Sequence, residues 1–382
     1  MRVFSSPFRG VVLAAVLAIG ATACGSDEGA AATGDDVSAA GDTGNGSAGT
    51  DAAATADVAA GEDATAVDTQ VAPSVTFNMT ASGWKMAPKN EITMCMVKRL
   101  DNETEVYLNR LRTKLSVGSH HMIVYKTDAT EEQLTPFKCT PFTETLAGGN
   151  VPLMITQVPD DTLQLPKGVA FKLDAHQMIR IEMHFINFTK DTIEPMGEVN
   201  FDTMDVSAVK DTADLLFYGN PDFSIPKGQS YSTPWQFLKV LEGSKIFALT
   251  GHTHALGKNV EIAVSKDGST PETPSLVYPG DLPYSWSEPP LEQFDPPLEF
   301  HNGEGFQYRC TWLNTTDTTV GFGESATKEM CFFWAYYYPS QGYHMCINTG
   351  KYKGMSGGMI GETACCPEDA LCSLIKNYLG GK

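Results

Sequence analysis

The chain has 382 residues, with 46 Asp or Glu against 27 Lys or Arg, 8 His, and a formal net charge of −19. That length exceeds what one ordinary hydrophobic core requires, so two domains are expected. The acidity argues against a nucleic-acid partner, because a phosphate backbone is bound by clustered cations.

The chain starts with Arg2 and Arg9, an apolar run at 11–21, and then Ala21-Thr22-Ala23-Cys24. The run is too short to span a bilayer as a stable helix, and its flanks are those of a secretory signal. A cysteine directly after small residues resembles the bacterial lipobox. That predicts residues 1–23 as a signal peptide and Cys24 as a lipidated mature N-terminus. Ala21 stands where a lipobox carries Leu, so plain cleavage and secretion is the alternative. Ser26 rather than Asp after the cysteine favours outer-membrane sorting in a Gram-negative host. The expected address is therefore the cell envelope, with the folded part facing the periplasm or the outside. Residues 24–73 predict a disordered tether. Between 25 and 72 there are ten acidic residues and no Lys or Arg, and little apolar surface to offset the entropy of ordering. Such a tether spans on the order of 40 Å.

From about residue 74 the pattern changes to short apolar or alternating runs at 92–97, 106–111, 122–125, 169–173, 178–185, 245–249, 260–264 and 332–338. Gly, Pro, Asn and Asp separate them, which predicts antiparallel strands and an all-β fold of the β-sandwich or jelly-roll kind. Histidine patterns lie on both sides of 202–215, so the domain boundary is placed near 208, giving domains at 74–208 and 209–345. Residues 346–382 are glycine-rich and hold Cys346, Cys365, Cys366 and Cys372; they read as a disulfide-stapled tail rather than core.

Beyond Cys24 the cysteines number eight: these four with Cys95, Cys139, Cys310 and Cys331. An even set in an exported chain reads as up to four disulfides. No CxxC pair occurs, which gives a zinc-ribbon or thioredoxin-like reading little support.

The histidines carry the chemistry. They fall into His120-His121-Met122, Met183-His184-Phe185 and His252-Thr253-His254, with Glu329-Met330-Cys331 following. Residues i and i+2 of a strand share a face, so His252 and His254 can reach one metal, although an isolated HxH is as easily two surface or core histidines. His120 and His121 would point to opposite faces unless the backbone bends, and Gly118-Ser119 permits a bend. Alone, His184 reads as a core histidine and Met330 as a gap filler. Three imidazoles in one set, and two imidazoles with a thioether in another, point to copper rather than zinc. His176, His301 and His344 are read as loop or surface residues.

The combined pattern resembles the copper type II, ascorbate-dependent monooxygenases, the family of peptidylglycine α-hydroxylating and dopamine β-monooxygenases. The resemblance covers about 90–346. It rests on Met94-Cys95-Met96, Arg99-Leu100, the segment 165–169, the three histidine patterns, Arg309-Cys310, Glu329-Met330-Cys331 and Tyr336-Tyr337. It implies two tandem antiparallel β-sandwich, jelly-roll-like domains, with one mononuclear copper each facing a water-filled cleft. His120, His121 and His184 match the ligands of the electron-donating copper, and His252, His254 and Met330 those of the oxygen-activating copper. The resemblance also implies Cys95–Cys139 and Cys310–Cys331 bridges. Cys346 lacks its family partner, so Cys346 and Cys372 are expected each to take one of Cys365 and Cys366. Glu182 stands where the peptide-amidating branch has Gln. Thr250, Phe332 and Trp334 stand where that branch binds a peptide carboxylate with Arg, Asn and Tyr. Losing the cation disfavours a C-terminal glycine peptide and suggests a small apolar or aromatic substrate.

The resemblance therefore implies an oxidoreductase that hydroxylates a C–H bond with O2 and a reductant such as ascorbate; the lipobox-like Cys24 predicts a lipid anchor, and a monomer is expected. The alternative is a lipoprotein that binds or delivers copper without catalysis. A zinc hydrolase fits poorly, since it gives Met330 no purpose and no carboxylate base lies beside the HxH pair.

Overall fold

The computed structural model describes residues 76–140, 149–348 and 363–366. The expected signal and tether, Cys24, Cys372 and the side chain of Cys366 lie outside the described residues. The described residues are all-β, with one 3-10 turn at Val206–Ala208 and no α-helix among them.

The strands follow the apolar spacing. Along Met178–Ile186, Ile179, Ile181, Met183 and Phe185 enter the buried apolar core, while Arg180, Glu182 and His184 take the alternate positions. Val106–Leu115 breaks simple alternation, with Leu108 and Leu111 both fully buried. There the register against Gly197–Met204 slips between Asp202 and Thr203, which leaves Asn109 with no opposite residue on that strand and shifts the phase by one.

Residues 76–212 build two sheets. Thr76–Ala81, Gly197–Met204, Val106–Leu115, Val169–Leu173 and Asp211–Thr212 lie side by side in one, with Asp160–Gln164 paired to Val106–Leu115. Gln133–Lys138, Glu91–Arg99, Met178–Ile186, Ser119–Thr127 and Asn150–Thr156 form the other. Residues of both sheets share one core, among them Leu111, Val199 and Phe201 from the first and Met96, Ile123 and Ile181 from the second. The strands therefore pass to the second set at Ala213, just beyond the boundary expected near 208.

The second set has a six-stranded sheet in the order Glu292–Glu299, Lys245–His252, Phe332–Tyr338, Asp214–Gly219, His344–Asn348 and Thr363–Cys366. A five-stranded sheet faces it, built from Ser230–Ser232, Gly305–Leu313, Gly257–Ser265 and Leu276–Tyr278, with Gln236–Lys239 paired to Gly305–Leu313. A short pair, Ser224–Ile225 with Val320–Gly321, completes it.

Within the six-stranded sheet, the strand Phe332–Tyr338 is buried on both faces. Along Phe332–Tyr338, Phe333, Ala335 and Tyr337 pack with Ile262, Phe306 and Tyr308 of the five-stranded sheet. Phe332, Trp334 and Tyr336 belong instead to the core that holds Met122, Met154 and Ile155 of the first strand set. A strand covered on both sides has no polar alternation, which is why this one reads as seven consecutive apolar or aromatic residues. Each ring buried this way contributes on the order of 1.5–3 kcal/mol, so the junction between the strand sets is core.

The start of the expected tail is core as well. His344–Asn348 runs parallel to Asp214–Gly219, with Cys346 and Ile347 buried, and Thr363–Cys366 pairs with it antiparallel. Disulfides join Cys95 to Cys139, Cys310 to Cys331 and Cys346 to Cys365.

Candidate metal centre

The first histidine cluster is set by sheet register. Ser119–Thr127 lies against Met178–Ile186 with His121 directly opposite His184. The register slips between Ser119 and His121, so His120 is the extra residue of a β-bulge. Gly118 precedes it at φ +87, a left-handed conformation that favours glycine. A bulge re-aims side chains that would otherwise alternate, and this is the bend that Gly118-Ser119 predicts. The ring centroids of His120, His121 and His184 lie 5.2, 5.4 and 5.1 Å apart. Their ligand nitrogens all fall within 4.8 Å of one another, in a buried site.

The His184 ring is oriented from behind. Its Nε2 lies 2.9 Å from Glu91 Oε1, and its Nδ1 is buried with no hydrogen-bond partner. The hydrogen bond with His184 holds the Glu91 carboxyl below the usual carboxylate range. Oε1 of Glu91 also accepts the backbone N–H of Ala326 at 3.0 Å.

The second cluster sits at a strand end. His252 closes the strand Lys245–His252, and His254 lies in the turn that leads to Gly257–Ser265. The two histidines are thus not alternate positions of one strand, as their spacing predicts, yet their rings lie 5.2 Å apart and nearly perpendicular. The turn is tight: a Cβ on Gly257 would stand 1.8 Å from Thr253 Oγ1. Buried Glu329 organises it, accepting the N–H groups of His254 at 2.9 Å and Leu256 at 2.8 Å and the indole N–H of Trp312 at 2.9 Å. Burial pushes the Glu329 carboxyl up to about 7 against the pull of these donors.

Both rings of this cluster are held through Nδ1. His254 Nδ1–H donates to Lys328 O at 2.9 Å, and Nε2 is buried with no hydrogen-bond partner. His252 Nδ1–H donates to Gln157 Oε1 at 2.5 Å, while Gln157 Nε2–H donates to Gly251 O at 3.0 Å. A hydrogen bond on one imidazole nitrogen fixes the tautomer and gives the other nitrogen to a metal. Met330 is 4% exposed, between Glu329 and the bridged Cys331.

The two clusters share a member. His120 groups with His252 and His254 as closely as with His121 and His184, all ligand atoms within 4.8 Å in each set. Its ring centroid is 5.3 Å from those of both His252 and His254. The resemblance predicts two sites facing a cleft, whereas here the histidines form one contiguous buried centre. The cause is the packing between the strand sets, where Ile155 N–H donates to Tyr336 Oη at 3.1 Å and Gln157 reaches across to His252. Burial pushes His120, His121 and His252 well below the ordinary imidazole range and His254 down to about 4, so these four rings are neutral near pH 7.

Thr250, Phe332 and Trp334 come to the second cluster as packed interior. Phe332 pairs opposite His252 and Trp334 opposite Thr250, and all three residues are 3% exposed or less. The Trp334 ring lies 6.1 Å from that of His252 and stacks on Phe217, while the Phe332 ring covers Gly219, where a Cβ would stand 1.9 Å from it. Glu182 is fully buried on the strand that carries His184.

Four neighbours of the centre escape sequence reasoning. They are Glu91, Gln157, Trp286, whose ring lies 6.1 Å from that of His120, and Tyr284, whose Oη is 2.7 Å from Thr253 Oγ1. No motif marks any of them; the Pro-rich loop at 279–290 that carries Tyr284 and Trp286 reads only as a turn. His176 and His301 lie in loops. His344 corrects the surface reading: it is 5% exposed, begins a core strand, and its Nε2–H donates to Gln341 O at 3.1 Å.

Residues 228–356 match the family model of the copper type II ascorbate-dependent monooxygenase C-terminal domain. This segment is similar to that domain. It holds His252, His254 and Met330, and the first cluster lies outside it. Two solved structures show slight likeness. The major capsid protein P2 of bacteriophage PM2 is 12% identical over 70% of this chain and 99% of its own, with a TM-score of 0.33. The tail fiber protein gp63.1 of a phage of E. coli is 11% identical over 70% of this chain and 38% of its own, with a TM-score of 0.20. At these scores neither bears on fold or function.

The residues fit a metal of the kind that the family name specifies. Buried imidazoles with His184 Nδ1 and His254 Nε2 lacking any other partner are costly unless a ligand takes them up. A donor set of buried nitrogens suits copper or zinc.

Proposed function

We propose that this chain is a copper-dependent monooxygenase that hydroxylates a C–H bond of a small apolar or aromatic compound. The balanced reaction consumes the substrate, one O2, two electrons and two protons, and yields an alcohol and water, with the electrons drawn from a reductant such as ascorbate. The observation that carries this reading is the pair of buried imidazole clusters joined at His120, with His252 and His254 of one cluster, and Met330, inside the family-matched segment. His120, His121 and His184 would hold the electron-donating copper, and His252, His254 and Met330 the oxygen-activating one, in two jelly-roll-like domains joined near 208–213. Copper there supplies one-electron redox chemistry and, with a thioether ligand, a Cu(I) state suited to O2.

The protein's own part is orientation and exclusion. Glu91, Gln157 and Lys328 O fix the tautomers of three rings. Burial of all five rings keeps water from the reacting centre. Thr250, Phe332 and Trp334 supply apolar and aromatic surface beside His252 and no cation for a carboxylate. Tethering through lipidated Cys24 would hold the enzyme at the cell envelope; labelled palmitate should enter the wild-type protein and not Cys24→Ser.

The test is metal analysis with oxygen uptake. The wild-type chain should hold two coppers and show a Cu(I)–S bond that is missing from Met330→Ile. Its O2 consumption should require copper and reductant and should match a hydroxylated product. Unchanged turnover in Met330→Ile would sink the assignment. One observation favours a second reading, copper binding without catalysis: Phe332 and Trp334 are packed into core, and the ligand rings are at most 5% exposed. Stable copper uptake without product-coupled O2 consumption would establish it.

A further inference from the structure

Glu91 is the first residue of the strand Glu91–Arg99, with its side chain about one-third exposed. Only one of its oxygens is engaged in the centre, and that oxygen is engaged twice. Oε1 takes the His184 Nε2–H at 2.9 Å and the Ala326 N–H at 3.0 Å. Ala326 belongs to the loop 325–330, which supplies Lys328 O to the His254 ring, Glu329 to the backbone of the His254 turn, and Met330 itself. Two residues far apart in sequence, and one from each cluster's support, therefore converge on a single atom.

We propose that Glu91 is a positioning residue shared by both metal clusters, one carboxylate oxygen fixing the His184 ring of the first and pinning the 325–330 loop of the second. The inference rests on the copper reading above. A carboxylate behind an imidazole raises the basicity of the ring's other nitrogen, and a more basic ligand favours the more highly charged metal ion. At His184 that nitrogen is Nδ1, buried and without another partner. Glu91 therefore favours Cu(II) over Cu(I) at the first cluster. The ligand geometry of one cluster and the loop that carries Met330 are tied through one side chain.

Glu91→Gln separates charge from reach, since an amide oxygen can accept both N–H groups but carries no charge. Glu91→Ala removes both. The readouts are Cu(II) and Cu(I) affinities of the full chain, by competition with chelators of known strength, the Cu(II) EPR spectrum, and the Cu(I)–S signal in X-ray absorption. Wild type should bind two coppers. Glu91→Gln should weaken Cu(II) at the first cluster by about 10–100-fold, weaken Cu(I) there less, and leave the Cu(I)–S signal in place. Glu91→Ala should show the same affinity change and also a diminished Cu(I)–S signal. Thermal unfolding of the metal-free proteins checks that each variant is folded. Equal losses for Cu(II) and Cu(I) in Glu91→Gln, or none, would overturn the positioning role while leaving the copper reading intact. A wild-type chain that takes up no copper would overturn both.

Discussion

The two histidine clusters reach similar ligand geometry by different means. The first is made inside a sheet: His121 and His184 are register partners on neighbouring strands, and a one-residue bulge turns His120 toward them. The second is made at the margin of a sheet, where His252 ends a strand and His254 lies in a turn, and the proposed ligand Met330 lies within the segment closed by the Cys310–Cys331 bridge. The first set of ligands depends on pairing that is cooperative with the whole sheet. The second depends on separate props, namely Glu329, Lys328 O, Gln157 and a disulfide. Local changes should therefore loosen the second cluster selectively, and the shared His120 is where the distinction should fail.

The largest effect tests that shared position. His120→Ala should weaken metal binding at both clusters, by more than the ~10–100-fold typical of outer-sphere changes, because its ring belongs to both sets. His184→Ala should remove the first equivalent and leave the second in place, since His184 groups only with His120 and His121. Copper-to-protein ratios after dialysis against a weak chelator distinguish them. Identical losses in the two variants would mean that the clusters are not joined as described.

Next comes the disulfide. Replacing Cys310 and Cys331 together with Ser should lower stability by about 2–4 kcal/mol, the range for releasing one native bridge. The copper loss should fall on the His252–His254 cluster, with the sheet-built cluster retained, read by denaturant unfolding alongside the Cu(I)–S signal. A smaller effect is expected from Gln157→Ala, which removes the acceptor of His252 Nδ1–H. Copper affinity at the second cluster should fall about tenfold, and loss at the first cluster instead would contradict the assignment of props.

The contrast also marks how far the sequence can be read. The strands are legible because apolar spacing is local, and the ligand candidates because histidine is scarce and its spacing fits strands. The bulge at His120 is legible in part, through Gly118-Ser119. What cannot be read is whatever depends on two distant segments meeting. Glu91 and Gln157 carry no local signal, and nothing near His120 indicates that His252 will lie against it. The seven-residue apolar run at 332–338 does record burial on both faces. His344 and Cys346 read as lying outside the core because the glycine-rich stretch after them masks a buried strand.

A further prediction lies on the loop that carries Ala326 and Lys328 and tests it without touching a ligand. Burial, and then the buried carboxylate of Glu182, push Glu324 up from 4.5 to about 8. Below about pH 4.5 the group is protonated in both folded and unfolded chains, so it adds no pH dependence there. As pH rises from about 4.5 to 8, the unfolded chain releases this proton while the folded chain keeps it, so the unfolded chain is favoured and stability falls across that window. Glu324→Gln removes the titration while keeping the shape of the neutral acid. The metal-free variant should therefore melt close to wild type near pH 4.5 and progressively above it toward pH 8, with the gap levelling off once wild-type Glu324 is ionised in both states. Scanning calorimetry across that range gives the gap directly. A constant offset at every pH would mean that the loop holds Glu324 in contact with water, and that the 325–330 segment is not packed against the first strand set as its bond to Glu91 requires.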